Sequence, residues 1–207
     1  MAFTRNGYGQ VEPNQLSAQK TGQIYASLPL ASDVDILQNG EFMYYDYKSG
    51  TVTADGVGEP MLVFNEVKLY EPFWRTSYKD FAMIRVGDNY VTSRLATAGY
   101  GDGAETEGIA STHSDWQAGY RMDGIAPRLF KTNVGDIFTT NMVETGAEIT
   151  YKQGDTLKLK KVNNAADKTG NTLVLSKTGN IDTLEFVVAK VYTMPDGQPG
   201  LKLQRIK

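Results

Sequence analysis

The residues able to do chemistry are few and scattered. The one histidine, His113, stands in STHSDW beside Ser111, Ser114 and Asp115. Serine, histidine and aspartate are the members of an acyl-transfer triad, but a triad is assembled from distant segments and recognised by geometry. His113 is therefore read as a surface-loop histidine. A single histidine with no cysteine also makes a poor zinc set. Asp102, Glu105 and Glu107 cluster in GYGDGAETEG. Oxygen-rich loops bind calcium, but this spacing is not that of an EF-hand loop, and the stretch reads as a solvated acidic loop. No two carboxylates are singled out as a glycosidase pair. The glycines of VGDN and YGDG do not follow a strand and open a helix, so they are not a phosphate cradle. No catalytic residue, metal ligand set or cofactor is expected, and the chain is read as a non-enzyme.

Aromatic residues offer a second kind of chemistry. Trp74, Trp116, Tyr44, Tyr45, Tyr47 and Tyr120 could form a sugar-stacking face. In a β protein with 12 tyrosines, half-buried sheet packing is the commoner use. A third feature is the opening stretch, MAFTRNGYGQVEPNQLSAQKTGQIYASLP. It is rich in Asn, Gln, Ser, Thr and Gly and poor in large apolar residues. Gly7, Gly9, Pro13 and Gly22 interrupt both helical and strand periods. Such a segment gains order by lying on a surface, often as an added strand. Residues 1–30 are therefore expected to be an extended arm. Its candidate partner-binding residues are Arg5, Asn6, Tyr8, Gln10, Val11, Leu16, Gln19, Ile24 and Tyr25.

The elements behind these residues read as β structure. Asn39-Gly40 and Ser49-Gly50 are turns around an aromatic strand, Phe42 to Tyr47. Thr51 to Thr53 and Met61 to Tyr70 read as further strands, with Leu62, Phe64, Val67 and Leu69 as core candidates and Glu66 and Lys68 facing water. The stretch from Pro72 to Val86 is ambiguous. A Gly-rich excursion, about 87–126, shows little periodicity; so long a loop tends to be functional or partner-bound. Alternation returns in LFKTNVGDIFTTN, YKQGDTLKLKKV, NTLVLSK, TLEFVVAKVYT and GLKLQRIK. Leu157, Leu159, Val162, Leu173, Leu175, Phe186, Val188, Val191, Leu201, Leu203 and Ile206 are the expected core. Pro195-Asp196-Gly197 is a turn in which Pro presets φ and Gly accepts a positive φ. The fold class is mainly β. The expected organisation is the arm, a β-rich domain over 31–145 carrying the excursion, and a small β-barrel or sandwich over 146–207.

Bulk properties narrow the classes of function. The chain has 207 residues, 41% of them hydrophobic, so a sizeable core is available. A formal charge of −3 from 21 basic and 24 acidic residues, well mixed, gives no basic footprint for nucleic acid. No apolar run approaches the ~18 residues of a membrane span, and the start lacks the layout of a signal peptide. The absence of cysteine excludes disulfides and fits assembly in a reducing cytoplasm.

As a set, TRNGYGQVEPNQLSAQKTGQIYASLP, FNEVKLYE, YKDFAM, PRLFKTNVGDIFTTN and VVAKVYTMPDGQPGLKLQRIK resemble small structural proteins of tailed bacteriophages, typically encoded close to the major capsid protein. The resemblance spans both ends and the middle of the chain, and none of its stretches specifies a reaction. It implies a virion component assembled in the host cytoplasm, most of all a capsid decoration (cement) protein. The implied partners are the major capsid protein and neighbouring copies, or a homo-oligomer, with no cofactor, nucleic acid or membrane. A head–tail connector or tail component is the alternative within that class. A carbohydrate-binding β module is the alternative outside it.

Overall fold

The computed structural model describes residues 3, 5, 8–66, 81–86, 89–92, 126–163, 171–194 and 197–207, with 84–86, 89–92 and 163 described by backbone alone. The fold is mainly β. Its fourteen described strands are β1 (Val11–Gln15), β2 (Ile24–Tyr25), β3 (Ile36–Gln38), β4 (Phe42–Asp46), β5 (Thr51–Thr53), β6 (Met61–Val63), β7 (Ala82–Val86), β8 (Asn89–Thr92), β9 (Leu129–Phe130), β10 (Ile137–Thr140), β11 (Thr156–Asn163), β12 (Asn171–Ser176), β13 (Ile181–Thr193) and β14 (Pro199–Arg205). One five-residue helix, α1 (Ser17–Thr21), lies between β1 and β2.

Eleven strands form one antiparallel sheet curled into a half-barrel. Its order is β1-β10-β14-β13-β11-β12-β4-β6-β9-β2, with β5 added beside β4. β3, β7 and β8 make a second, smaller sheet. The period-two pattern sets the register. Leu157 and Leu159 of β11 point inward with Leu173 and Leu175 of β12, Phe186 and Val188 of β13, and Leu201 and Leu203 of β14. Lys158 and Lys160 alternate with the β11 leucines and reach carboxylates, Asp182 and Glu144. At the centre Phe42, Phe138 and Phe186 meet, with ring centroids 5.4–6.2 Å apart. The sheet crosses the boundary expected near residue 145: β4 pairs β12 at Phe42 and Leu173, and β10 pairs β14. One sheet and one core therefore serve both segments.

Turn chemistry follows the sequence. Gly40 has φ 93° between Gln38 and Glu41, whose main chains close the turn at 3.3 Å. Gly197 has φ 85°, and Met194 bonds Gln198 across the β13–β14 hairpin. Three expected core residues are not in the core. Val162, near the end of β11, is only half-buried. Val191 is 46% exposed: the extra β13 residue between Val188 and Lys190 sets it opposite buried Leu201, but none of residues 189–193 at that end of β13 is buried. Ile206 is 45% exposed because it lies beyond the last residue of β14.

The N-terminal segment also departs from expectation. Over its described residues it does not stand off as an extended arm. β1 pairs β10, β2 pairs β9, and α1 sits between them. Val11, Leu16 and Ala18 are buried, and the ring of Phe3 meets Tyr151 edge-on at 5.5 Å. The α1 start is pinned by Asp136, whose carboxylate accepts from the Ser17 N–H at 3.0 Å and the Ser17 hydroxyl at 2.9 Å. The physical reason is that each apolar residue fills its own site on the body. Irregular spacing hides that use, since periodicity reports only residues sharing one face.

Candidate contact surface

Three tyrosines form a ladder at the β2 end of the sheet. Tyr45 and Tyr47 share one side of the β4 chain by alternation, and Tyr25 is supplied by β2. The Tyr25 and Tyr45 rings lie 5.3 Å apart, tilted by 55°. Tyr45 and Tyr47 lie 5.2 Å apart at 74°, edge to face. The Tyr45 hydroxyl oxygen accepts from the Ser27 N–H at 3.1 Å. Tyr25 and Tyr45 are half-buried, whereas Tyr47 is 75% exposed.

The local sequence fixes this projection. Tyr47 opens the turn Tyr47–Gly50 between β4 and β5. The Asp46 carboxylate accepts the N–H groups of Lys48 at 3.0 Å and Ser49 at 3.1 Å, an Asx arrangement. Gly50, at φ 70°, donates its N–H to the Asp46 carbonyl at 3.0 Å. Hydrogen bonds from Ser49 and from the Lys48 N–H hold the Asp46 carboxyl below its usual range. The turn is thus rigid, and it carries a large amphipathic ring into solvent. Beside it, β2 pairs β9 and no other described strand, so it is an edge. A tyrosine ladder next to an edge strand can make apolar, hydrogen-bonding and main-chain contacts to another protein.

The expected partner-binding residues divide. Gln19 is exposed on α1, and Ile24 and Tyr25 are half-buried on the β2 edge. Arg5 and Tyr8 are half-buried on the body; Gln10, Val11 and Leu16 are buried in it. Asn6 lies outside the described residues. Of the aromatic set, Tyr44 does not join the ladder. It faces inward, and a Cβ at Gly56 would collide with its Cβ. Trp74, Trp116, Tyr120, His113, Val67, Lys68, Leu69, Asp102, Glu105 and Glu107 lie outside the described residues, with most of the excursion.

Among the described residues, no group of three or more His, Asp or Glu side chains is placed to hold a metal ion. The densest polar cluster is Glu144 with Lys160, Ser176 and Thr178. Burial raises the Glu144 pKa, but Lys160, Ser176 and Thr178 outweigh it and hold the carboxyl below its usual range. Every polar partner in this cluster is internal, and it braces β11 and β12.

Comparison with protein-family models, with known proteins and with solved structures finds no match to the chain.

Sequence reasoning did not single out the buried polar seat beneath the N-terminal segment. Gln38, Asn39, Glu41, Asn65, Thr140 and Asn141 are all buried there. In sequence, Asn-Gly-Glu before an aromatic strand looks like an ordinary exposed turn.

Proposed function

We propose that the chain is a structural virion protein that docks on a phage capsid shell, in the head decoration (cement) role. The reading combines the sequence resemblance with a β body that presents the Tyr25–Tyr45–Tyr47 ladder at an open sheet edge. Tyr47 carries it: a hydrogen-bonded turn that holds a tyrosine in solvent, beside an edge strand, is suited to burial by a partner. The contact belongs to this ladder and to β2, with Gln19 nearby in sequence, rather than to a free arm. A shell repeats its subunits, so many copies bind together and each contact can be modest. A protein that binds the assembled shell and not its free subunits shifts the balance toward the shell by linkage.

Copy number per particle tests the role. Decoration requires copies in fixed proportion to the major capsid protein, whereas a connector or tail component would be present as a single small ring. The exposed Tyr47 ring also favours a second reading, a carbohydrate-binding module. Against it, Tyr45 meets Tyr47 edge to face and Tyr25 at a tilt, so it spends its ring on its neighbours rather than on sugars. Binding to a glycan array that is lost in Tyr47→Ala would replace the first reading with the second.

A further inference from the structure

The N-terminal segment is seated on the Gln38–Glu41 turn and beside Thr140 and Asn141 by polar contacts, one of which relays through Gln38 to the buried Glu41 carboxyl. Gly9 N–H donates to Gln38 Oε1 at 2.8 Å, and the Gln38 N–H donates to Glu41 Oε2 at 3.1 Å. Gln10 N–H donates to Asn141 Oδ1 at 2.7 Å, and Thr140 Oγ1 donates to the Gln10 carbonyl at 2.8 Å. The segment lies so close that a Cβ on Gly9 would collide with the Asn39 carbonyl oxygen and come within 2.6 Å of Met142 Cγ. Arg5 Nη1 lies 2.6 Å from Met142 Sδ. Glu41 itself is 0% exposed, and its Oε1 has no hydrogen-bond partner. The Thr172 hydroxyl of β12 faces it but completes no hydrogen bond.

We propose that the N-terminal segment, over its described residues up to Gln15, is a proton-dependent strap, held on the body while Glu41 is protonated and lifted from it when Glu41 ionises. A protonated Glu41 needs no counter-charge, and its hydroxyl can turn to the unpartnered Thr172 oxygen. An ionised Glu41 leaves a charge in a fully buried site. Burial pushes the Glu41 carboxyl up to about 7, against the smaller, opposing effects of the Gln38 N–H, Thr172 and Arg5. Arg5, on the strap itself, is the charged group that acts on Glu41 among the described residues, and its effect is the smallest of these. Lifting the strap admits water and returns Glu41 toward an ordinary carboxyl. Closure therefore takes up a proton: the strap is tightest below the ordinary Glu range and loosens as pH rises through about 7. Opening uncovers the edge of β10, which can then accept a strand. This inference does not depend on the shell-binding reading.

Amide hydrogen exchange across pH, corrected for the intrinsic rate at each pH, tests it on the full chain. From about pH 5 to about pH 8 the corrected exchange of Gly9, Gln10 and the β1 amides is expected to rise on the order of 50-fold. The β13 and β14 amides should hold steady, and Glu41→Gln should flatten the strap's profile. A flat profile in the wild type, or a rise that persists in Glu41→Gln, would overturn the proposal. So would a rise shared equally by β13 and β14, since Glu41 would then report global unfolding. If Glu41→Gln fails to fold, the wild-type profile still decides by the presence or absence of a strap-only rise.

Discussion

Phe42 touches Phe138 and Phe186 where β4, β10 and β13 come together, and all three rings are fully buried. Phe42→Ala should cost about 3–5 kcal/mol in denaturant unfolding, because it removes both transfer energy and packing from a site that cannot collapse freely. A loss under 1 kcal/mol would mean that the centre is loosely packed. Glu144 works at the opposite end of the polarity scale. Its lowered pKa favours the folded state above the ordinary Glu range, and that contribution fades as pH falls through its folded value. Glu144→Gln should therefore flatten the acid limb of a stability–pH profile relative to wild type. An unchanged acid limb would place the acid sensitivity elsewhere. The core phenylalanine Phe186 was legible from alternation alone. Glu41 was not, since local sequence reports a turn and not what lies above it. The groups that act on its carboxyl include Thr172 and Arg5, from segments far away in the chain.

Among elements, β11 was readable because buried leucines alternate with lysines, and β13 and β14 because buried residues alternate along part of each strand; β12, buried on both faces, was readable as a short apolar run. The far end of β13 was the exception: Val191 stands opposite buried Leu201, yet no residue from 189 to 193 is buried. The N-terminal segment was misread as an arm because its anchors are single residues on different faces, held by side-chain-to-backbone bonds. Gly9→Ala probes that seating directly. It should weaken strap docking by about 1–3 kcal/mol through overpacking against the Asn39 carbonyl. The expected readout is faster exchange of β1 amides with β13 unchanged. Normal β1 protection in Gly9→Ala would show that the segment is not held where it crosses Asn39.

At the scale of the molecule, the two expected β units share a sheet through β4–β12 and β10–β14. A chain beginning at Leu30 would lose β1, α1 and β2, and with them the cover of Val11, Leu16 and Ala18 over the core. It should unfold at lower denaturant and expose the edges of β10 and β9, so truncation cannot separate binding from folding. Point substitution can. Tyr47 is largely solvent-facing, so Tyr47→Ser should change stability by no more than about 0.5 kcal/mol. The deciding measurement is co-sedimentation of purified protein with empty capsids assembled without it, comparing wild type with Tyr47→Ser. The account predicts that wild type pellets with the shells and that Tyr47→Ser, equally folded, binds at least about tenfold more weakly. Wild type that stays in the supernatant would contradict shell binding, and full binding by Tyr47→Ser would contradict the tyrosine ladder as the contact.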